Sequence, residues 1–334
     1  MTRILNHRGW LIGLLCSIQQ LSAAPRVGSC AVFPDDHIWN TAVDNMPVNL
    51  LSGRYVETIG ANKPLHPDFG AGRYRGVVAG IPFLIVPRGQ TRVPILFRSP
   101  ESDPGPFPIP PDAPIEGEGG PPGAGDRHVL VVEQGECKLY ELFAAEKQAD
   151  GSWKAGSTAV FDLNGYALRP AGWTSADAAG LPLLPGLVRY EEVAAGEIRH
   201  AIRFTAPRTR RAYVWPARHY ASRLTDPQYP PMGQRFRLRQ DYPVNTFPTQ
   251  ARVILRALQK YGMMLSDNGG AWFISGAPND RWDNGQLRTL RRVHGSDFQA
   301  VDVSSLQNEP NSARTRKSRP DERGPRPPAP GLRQ

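Results

Sequence analysis

The sequence lacks the short motifs that mark several common enzyme classes. It contains no P-loop, no glycine fingerprint for dinucleotides, no His-Glu-x-x-His, no EF-hand loop and no Gly-x-Ser-x-Gly. These absences disfavour nucleotide-dependent chemistry and the common serine-hydrolase layout. Beyond the N-terminal segment, no apolar run approaches the roughly 20 residues that a membrane-spanning helix needs. The sequence therefore predicts a chain that does not span a membrane.

Cysteine is scarce, with 3 residues among 334. Cys16 lies in residues 1–23, where a basic start, a short apolar run and small residues before Ala24 are typical of a secretory signal peptide. Its removal leaves only Cys30 and Cys137. Because an exported chain enters an oxidising compartment, we expect these two to form a disulfide, with two separate buried thiols as the alternative. We therefore expect a secreted or periplasmic protein.

Glycine and proline are abundant, at 33 and 34 residues, which argues against a mostly helical protein. Residues 307–334 are Arg/Pro-rich and poor in large apolar side chains, so we expect a disordered tail. Of the formal charge of +9, the tail carries +4 (seven Lys/Arg, three Asp/Glu) and the leader carries +2, which leaves +3 for the remainder. Since most of the charge lies at the two ends, we expect no nucleic-acid partner.

The region between these ends predicts one globular domain, residues 24–306. Short runs that alternate apolar and polar residues, joined by Gly-rich turns, predict a mainly β fold, a sandwich or a strongly bent antiparallel sheet, with α+β as the alternative. The turn at residues 267–270 predicts a hairpin. Apolar periodicity predicts two or three packed helices, over residues 249–261, over 283–293 and, more weakly, within 188–198.

Several longer runs are distinctive: LHPDFG (65–70), ESDPGPFPIP (101–110), GDRHVLVV (125–132), WTSADAAGLPLLPGL (173–187), VWPARH (214–219), YGMMLSDNG (261–269) and SGAPNDRW (275–282). In these runs the chain resembles a family of secreted, mostly bacterial proteins. The resemblance covers about residues 30–303 and implies export and one shared domain. It implies no catalytic residue, so candidate chemistry comes from the residue types themselves.

Acidic and histidine residues in Gly/Pro-rich surroundings predict a carboxylate-based site. Glycoside hydrolysis needs two carboxyl groups, one held protonated as the acid and one ionised as nucleophile or base. The candidate catalytic residues, including two assisting histidines, are Asp68, Asp103, Glu116, Asp126, His128 and His219. Asp103 and Glu116 lie in the Pro/Gly-rich segment 99–124, which predicts a structured loop at the wall of the site. A turn role is the alternative for Asp103.

Further side chains indicate a surface that binds sugars through an aromatic face and polar rims. The candidates for substrate binding are His66, Trp173, Asp177, Arg218 and Asp267. Trp173 precedes a polar loop, which predicts an exposed ring. Arg218 follows a strand-like run and suits a carboxylate or sulfate on an acidic glycan. A lyase with His219 or Tyr220 as the proton-transfer group is then a further alternative.

Two His/Asp pairs raise the question of a metal. Residues two apart on an extended chain point to the same side, so His66 with Asp68, and Asp126 with His128, would present a nitrogen and an oxygen ligand together to a Zn²⁺-like or Mn²⁺-like ion. The commoner alternative is that each Asp orients its neighbouring His, and we expect no metal and no other cofactor.

The sequence thus favours a secreted carbohydrate-active enzyme acting on a polysaccharide or a cell-envelope glycan. A non-catalytic glycan- or cell-surface-binding protein is the alternative, and a metal-dependent envelope hydrolase comes third.

Overall fold

The computed structural model describes residues 24–121 and 125–316. The predicted signal peptide, residues 1–23, lies outside the described residues, as does the part of the predicted tail from 317 to 334. Within the two described ranges, none of the helices combines the length and the apolar character needed to cross a bilayer.

The described part of the chain is mainly β with four α-helices, which confirms the predicted fold class. The strands are β1 Arg26–Val27, β2 Cys30–Ala31, β3 His66–Asp68, β4 Arg73–Tyr74, β5 Val77–Val78, β6 Phe83–Val86, β7 Ile95–Phe97, β8 Val129–Glu133, β9 Lys138–Phe143, β10 Glu146–Lys147, β11 Trp153–Ala155, β12 Ser157–Asp162, β13 Ile202–Ala206, β14 Arg235–Leu238, β15 Met263–Asn268, β16 Phe273–Ser275 and β17 Phe298–Val301. The helices are α1 Ser52–Ile59, α2 Tyr190–Ala195, α3 Thr249–Lys260 and α4 Asn284–Arg288. Single 3₁₀ turns span Leu184–Gly186, Val244–Thr246, Thr289–Arg292, Gly295–Asp297 and Ser304–Leu306.

Three sheets carry the architecture. The largest has six strands in the order β17-β14-β15-β13-β16-β3, the second has four in the order β12-β9-β8-β6, and the third has three in the order β10-β11-β7. Pairing is mixed: β13 runs parallel to β15, β16 to β3, β6 to β8 and β11 to β7. The sheets are therefore less uniformly antiparallel than the sequence predicts.

Strand β8 separates two hydrophobic cores, which explains its unbroken apolar run. Leu130 points into the large core between the sheets and the helices, whereas Val131 faces a smaller core on the other side. Phe107 and Ile109, from the long Pro/Gly-rich loop, fill that smaller core and are each 1% exposed. Burial of such side chains stabilises the fold by roughly 1.5–3 kcal/mol each. The described part of the loop, residues 99–121, is accordingly structured.

The helix predictions agree best with the structure where the helical repeat of apolar residues continues over many residues. Helix α3 covers Thr249–Lys260 and buries Ile254 and Leu258 against the large core. Helix α4 is shorter than predicted, because after Arg288 the chain tightens into the 3₁₀ turn Thr289–Arg292. Its N-terminus is capped by Asp283, whose side chain accepts from two backbone N–H groups.

The hairpin predicted at residues 267–270 is wrong. Strands β15 and β16 flank this turn but do not pair with each other, because β13 lies between them. The turn instead passes over the end of β13, where Thr205 Oγ1 donates to the carbonyl of Gly270 at 2.8 Å. A Cβ at Gly269 would lie 2.8 Å from the same hydroxyl oxygen, so the glycine is required by a close approach.

The predicted disulfide is confirmed. Cys30 and Cys137 are joined with an S–S distance of 2.06 Å across a sequence separation of 107. The bond ties the N-terminal β1–β2 hairpin to the start of β9, and the sulfur of Cys30 lies in the large core.

The predicted domain boundary at residue 306 lies too early. Residues 307–316 pack on the domain. An isolated antiparallel β-bridge pairs Gln307 with Thr315, and Ala313 is fully buried. Arg218 Nη1 donates to the carbonyl of Pro310 at 3.0 Å. The indole Nε1 of Trp215 donates to the carbonyl of Ser312 at 2.9 Å, so side chains of the domain hold this segment by hydrogen bonds in addition to the burial of Ala313.

Candidate functional site

Neighbouring strands of the six-stranded sheet carry polar side chains on one face. Ser275 of β16 is the register partner of Asp68 of β3, and Arg203 of β13 donates from Nη1 to Ser275 Oγ at 2.7 Å. Two residues further along β13, Thr205 pairs with Asp267 of β15. Because alternate residues of a strand share a face, the sheet gathers residues that are distant in sequence into one layer.

Arg203 is the buried centre of this layer. Its Nε and Nη2 donate to the two carboxylate oxygens of Asp177 at 2.7 and 2.8 Å, and Nη2 lies 3.5 Å from Asp267 Oδ2. Burial opposes the charge of the guanidinium, but the neighbouring carboxylates outweigh it and raise the pKa of Arg203. Arg203 is therefore a permanent cation held by a bidentate partner in the protein interior.

His128 and Glu116 form a second buried pair. His128 Nδ1 lies 2.6 Å from Glu116 Oε2, and Nε2 lies 3.0 Å from the carbonyl oxygen of Ala176. Both neighbours are acceptors, so both ring nitrogens donate and the ring is an imidazolium. Burial lowers the pKa of His128, but Glu116 reverses the shift and raises it to about 9. The pKa of Glu116 is lowered by the same contact although burial opposes this.

The ion pair of His128 and Glu116 is expected to stabilise the fold only within a limited range of pH. The pKa of His128 is about 9 in the folded state against 6.5 as a free side chain, so its contribution is complete below pH 6.5 and lost as the pH rises through about 9. The pKa of Glu116 falls below its free value of 4.5, so its contribution exists above pH 4.5 and is lost as the pH falls through the folded pKa. We expect His128→Gln to lower the free energy of unfolding by about 2 kcal/mol between these limits.

Urea denaturation of the wild type and His128→Gln, from about pH 4 to about pH 10, measures this window. The difference between the two proteins should be largest near pH 5.5 to 6 and should shrink towards both ends. A difference that is independent of pH would mean that His128 contributes only packing.

An open cleft of about 400 Å³ lies beside these two buried pairs. The polar and aromatic side chains that line it include Asp126, Phe143, Ser157, Asp177, His219 and Asp267. Asp126 is exposed to solvent, and the side chain of Asp267 is 22% exposed. Burial and the nearby charge of Asp177 raise the pKa of Asp267 to about 7, against the opposing effect of Arg203. One carboxyl group of the cleft is therefore half protonated near neutral pH.

His219 presents a free nitrogen at the same cleft. Its Nδ1 lies 2.8 Å from the carbonyl oxygen of Ala178, so Nδ1 carries a proton and donates it there. The other nitrogen, Nε2, lies 4.0 Å from the carboxylate of Glu101, beyond direct hydrogen-bond distance. The ring stacks on Tyr220 with centroids 5.7 Å apart. In the neutral form, Nε2 is thus available to accept a proton.

A buried carboxylate holds the loop that carries Asp177. Glu141 of β9 is fully buried, and its Oε1 accepts from the backbone N–H groups of Leu183 and Leu184 at 2.9 and 3.0 Å. Burial raises the pKa of Glu141 to about 7, although the two N–H groups favour the charged form. Glu141 thereby holds the start of the 3₁₀ turn Leu184–Gly186, which lies in the same segment as Asp177, residues 173–187.

The structure gathers most of the predicted catalytic and binding residues at this site. Electrostatic interactions link Asp68 to Glu116 and Arg203, and link Asp267 to Asp126 and Asp177. Desolvation by the surrounding protein raises the pKa of Asp68, although part of its surface is exposed. Four of the predicted residues line the cleft: Asp126, Asp177, His219 and Asp267. Glu116 and His128 form the buried pair beside it, and His66 and Asp68 lie on the edge strand β3. His66 stacks on Phe273 beside Asp68, with ring centroids 4.0 Å apart.

Three predicted site residues have other contacts. Asp103 accepts from Arg169 Nη1 at 2.5 Å and from the backbone N–H of Val160 at 2.8 Å, so it anchors its loop rather than facing the cleft. Arg218 is 7% exposed, and its donors are taken by backbone carbonyls and by the side chain of Asn311. Trp173 lies against the guanidinium of Arg169, 5.5 Å from the ring centroid, and does not line the cleft.

The side chains that could ligate a metal ion do not favour the metal-dependent alternative. In residues 24–121 and 125–316, no group of three or more His, Cys, Asp or Glu side chains is placed to hold a metal ion. Both nitrogens of His128 donate to protein acceptors, so this ring has no lone pair for a metal. The predicted pair of Asp126 and His128 therefore lacks its nitrogen ligand.

Sequence reasoning missed Arg203 and Glu141. Each is a charged residue in the middle of an apolar strand run, Ala-Ile-Arg-Phe-Thr and Leu-Tyr-Glu-Leu-Phe. A charge at a position that faces a core needs a buried partner, so this pattern by itself indicates an internal polar contact. The sequence carries no sign of which partner that is.

Comparisons of the chain with protein-family models, with curated proteins and with solved structures find no match. The resemblance to a family of secreted bacterial proteins stays a prediction, and the interpretation of the site rests on its geometry.

Proposed function

We propose that the protein is a secreted carbohydrate-active enzyme that cleaves a polysaccharide in this cleft. The observation that carries the proposal is Asp267, a carboxyl group with a pKa of about 7 that shares the cleft with the exposed Asp126. Glycoside hydrolysis requires one carboxyl group that is protonated near neutral pH and a second one beside the scissile bond. In this proposal Asp267 protonates the leaving oxygen, and Asp126 acts as nucleophile or base.

The surrounding groups maintain this division of roles. Asp177, buried next to Asp267, disfavours a second negative charge and so keeps the acid protonated. Arg203 forms an ion pair with Asp177 and opposes the rise in the pKa of Asp267, which therefore stays near 7. His219 offers Nε2 as an acceptor for the proton of a bound hydroxyl or water.

The charge of the cleft favours a neutral or amino-bearing glycan over an acidic one. Among the described residues that line it are three Asp side chains and no Lys or Arg. Two arginines near this site, Arg203 and Arg218, are buried and engaged with protein acceptors. A carboxylate or sulfate on the substrate would therefore meet the exposed carboxylate of Asp126 without a cation in the described lining, which argues against the acidic-glycan and lyase alternatives.

Replacing Asp267 tests the proposal. We expect Asp267→Asn to lower kcat on the cleaved polysaccharide by about a hundredfold, because an amide cannot donate the acid proton. Wild-type activity should fall as the pH rises through about 7, since Asp267 then loses that proton. Detection of new reducing ends on a panel of neutral and amino-bearing polysaccharides measures both effects.

Asp112→Asn is the matched control, because Asp112 is exposed and lies outside the cleft lining. Its activity should equal that of the wild type. Full activity of Asp267→Asn would remove Asp267 from the mechanism. Binding of a polysaccharide without any product would leave the non-catalytic binding protein as the function.

Export belongs to the same proposal. The basic and apolar start of the chain and the Cys30–Cys137 bond both suit a secreted or periplasmic protein. N-terminal sequencing of the protein isolated from its producing cells would reveal whether residues 1–23 are removed.

A further inference from the structure

The wall of the cleft continues into a second cavity of about 250 Å³. Three chain segments line both: residues 96–99, 143–146 and 154–157. In each segment one end faces the cleft and the other faces the second cavity. The two cavities are therefore parts of one surface, which we call the extended groove.

Backbone hydrogen bonds join the three segments where the two cavities meet. The N–H of Ser99 donates to the carbonyl of Gly156 at 2.9 Å, and the N–H of Gly156 donates to the carbonyl of Phe143 at 2.7 Å. A Cβ at Gly156 would lie 2.8 Å from the ring of Phe143, so the glycine lets that ring lie across the wall. Backbone hydrogen bonds thus connect the three-stranded and the four-stranded sheet at the junction, so no loop separates the two cavities there.

The far end of the groove exposes apolar side chains between charged ones. Leu96 is 61% exposed, Phe97 36% and, at the junction, Phe143 37%. Lys154 is the register partner of Leu96 on one side and of Glu146 on the other, so a cation lies next to the leucine and an anion lies one strand further across the three-stranded sheet. Apolar and aromatic surface beside fixed polar groups matches a sugar ring, which has an apolar face and a rim of hydroxyls.

We propose that the extended groove binds the chain of a polysaccharide beyond the bond that is cleaved, so that the substrate class is a long glycan rather than a short oligosaccharide. This inference rests on the proposed function of the cleft. Continuity with the cleft identifies the occupant, because a chain held at Asp126 and Asp267 and following the wall passes Phe143 and then reaches Leu96 and Phe97.

The test compares long and short ligands on variants of the far end. Leu96→Ser and the double variant Leu96→Ser/Phe97→Ser remove apolar contact at the second cavity, and Leu50→Ser is the matched control because Leu50 is fully exposed outside both cavities. The probes are soluble β-glucan, xylan, pullulan and glycol chitosan, each beside its tetrasaccharide. Binding is measured by affinity electrophoresis and titration calorimetry, and thermal midpoints establish that the variants fold.

For the polymer that the wild type retains, we expect the double variant to weaken binding about tenfold and Leu96→Ser about threefold. Binding of the tetrasaccharide should change less than about twofold, and Leu50→Ser should behave as the wild type. The proposal that the extended groove binds polysaccharide would be wrong if the variants weakened binding of polymer and tetrasaccharide equally, or if they did not weaken it. It would also be wrong if the wild type retained none of the polymers. So would a dimer of the wild type that Leu96→Ser dissociates, since the surface would then contact a second copy.

These outcomes separate the groove from the catalytic proposal. Polymer retention that depends on Leu96 and Phe97, without any cleavage, would support the groove and overturn the proposed hydrolysis. Cleavage that Asp267→Asn abolishes, with no effect of the far-end variants, would support the hydrolysis and overturn the groove.

Discussion

Replacement of Arg203 by methionine is expected to lower the free energy of unfolding by about 4 kcal/mol. The substitution keeps much of the side-chain volume but leaves the carboxylate of Asp177, which is 1% exposed, without its bidentate partner. Removing one member of a buried ion pair costs about 3–5 kcal/mol because the other charge remains buried without compensation. Urea denaturation at neutral pH measures this loss.

A double-mutant cycle assigns the effect to the ion pair. Arg203→Met combined with Asp177→Asn should recover part of the loss, since no uncompensated charge then remains in the interior. Arg239→Met is the matched control: Arg239 makes the same kind of contact with Asp241, but on the exposed surface, so no measurable change is expected. A double variant no more stable than Arg203→Met would assign the loss to packing instead.

Loss of the Cys30–Cys137 bond is expected to have an effect of similar size. The bond closes a loop with a sequence separation of 107, and the chain-entropy model gives about 4 to 5 kcal/mol for a loop of that length. The double variant Cys30→Ser/Cys137→Ser should therefore unfold at a much lower denaturant concentration than the wild type. Guanidinium denaturation, followed by fluorescence of the buried tryptophans, provides the comparison.

Reducing agent supplies the control for this prediction. Treatment with a reductant should shift the unfolding midpoint of the wild type towards that of the double variant and should leave the double variant unchanged. Coincident midpoints for the oxidised wild type and the double variant would show that the bond does not stabilise the fold.

The parts of the fold that follow local rules were predictable. Helix α3 could be read from the apolar period of residues 249–261, because a helix that packs on a core must repeat its apolar face every 3.6 residues. The disulfide followed from the number of cysteines and the predicted compartment. Helix α1 was not predicted, although Tyr55, Val56 and Ile59 form its buried face.

The site was predicted in its residue types and only partly in its members. Asp267 and Asp126 were both candidates, but their separate roles depend on burial, which the sequence does not show. Asp103 and Arg218 have the same chemistry as true cleft residues, and only their partners, Arg169 and the segment 307–316, distinguish them. Residue type establishes what a side chain is able to do, whereas its neighbours decide whether it does so.

The sequence by itself determined a β-rich domain, the positions of its longest helix and of its disulfide, and a pool of acidic and histidine residues. Those properties depend on composition and on spacing along the chain. The tertiary structure alone decided that β13 separates β15 from β16, that Arg203 balances Asp177, and that burial raises the pKa of Asp267 to about 7. These depend on contacts between residues far apart in sequence, and the energies of such contacts are set by distance and solvent exclusion, which no local pattern records.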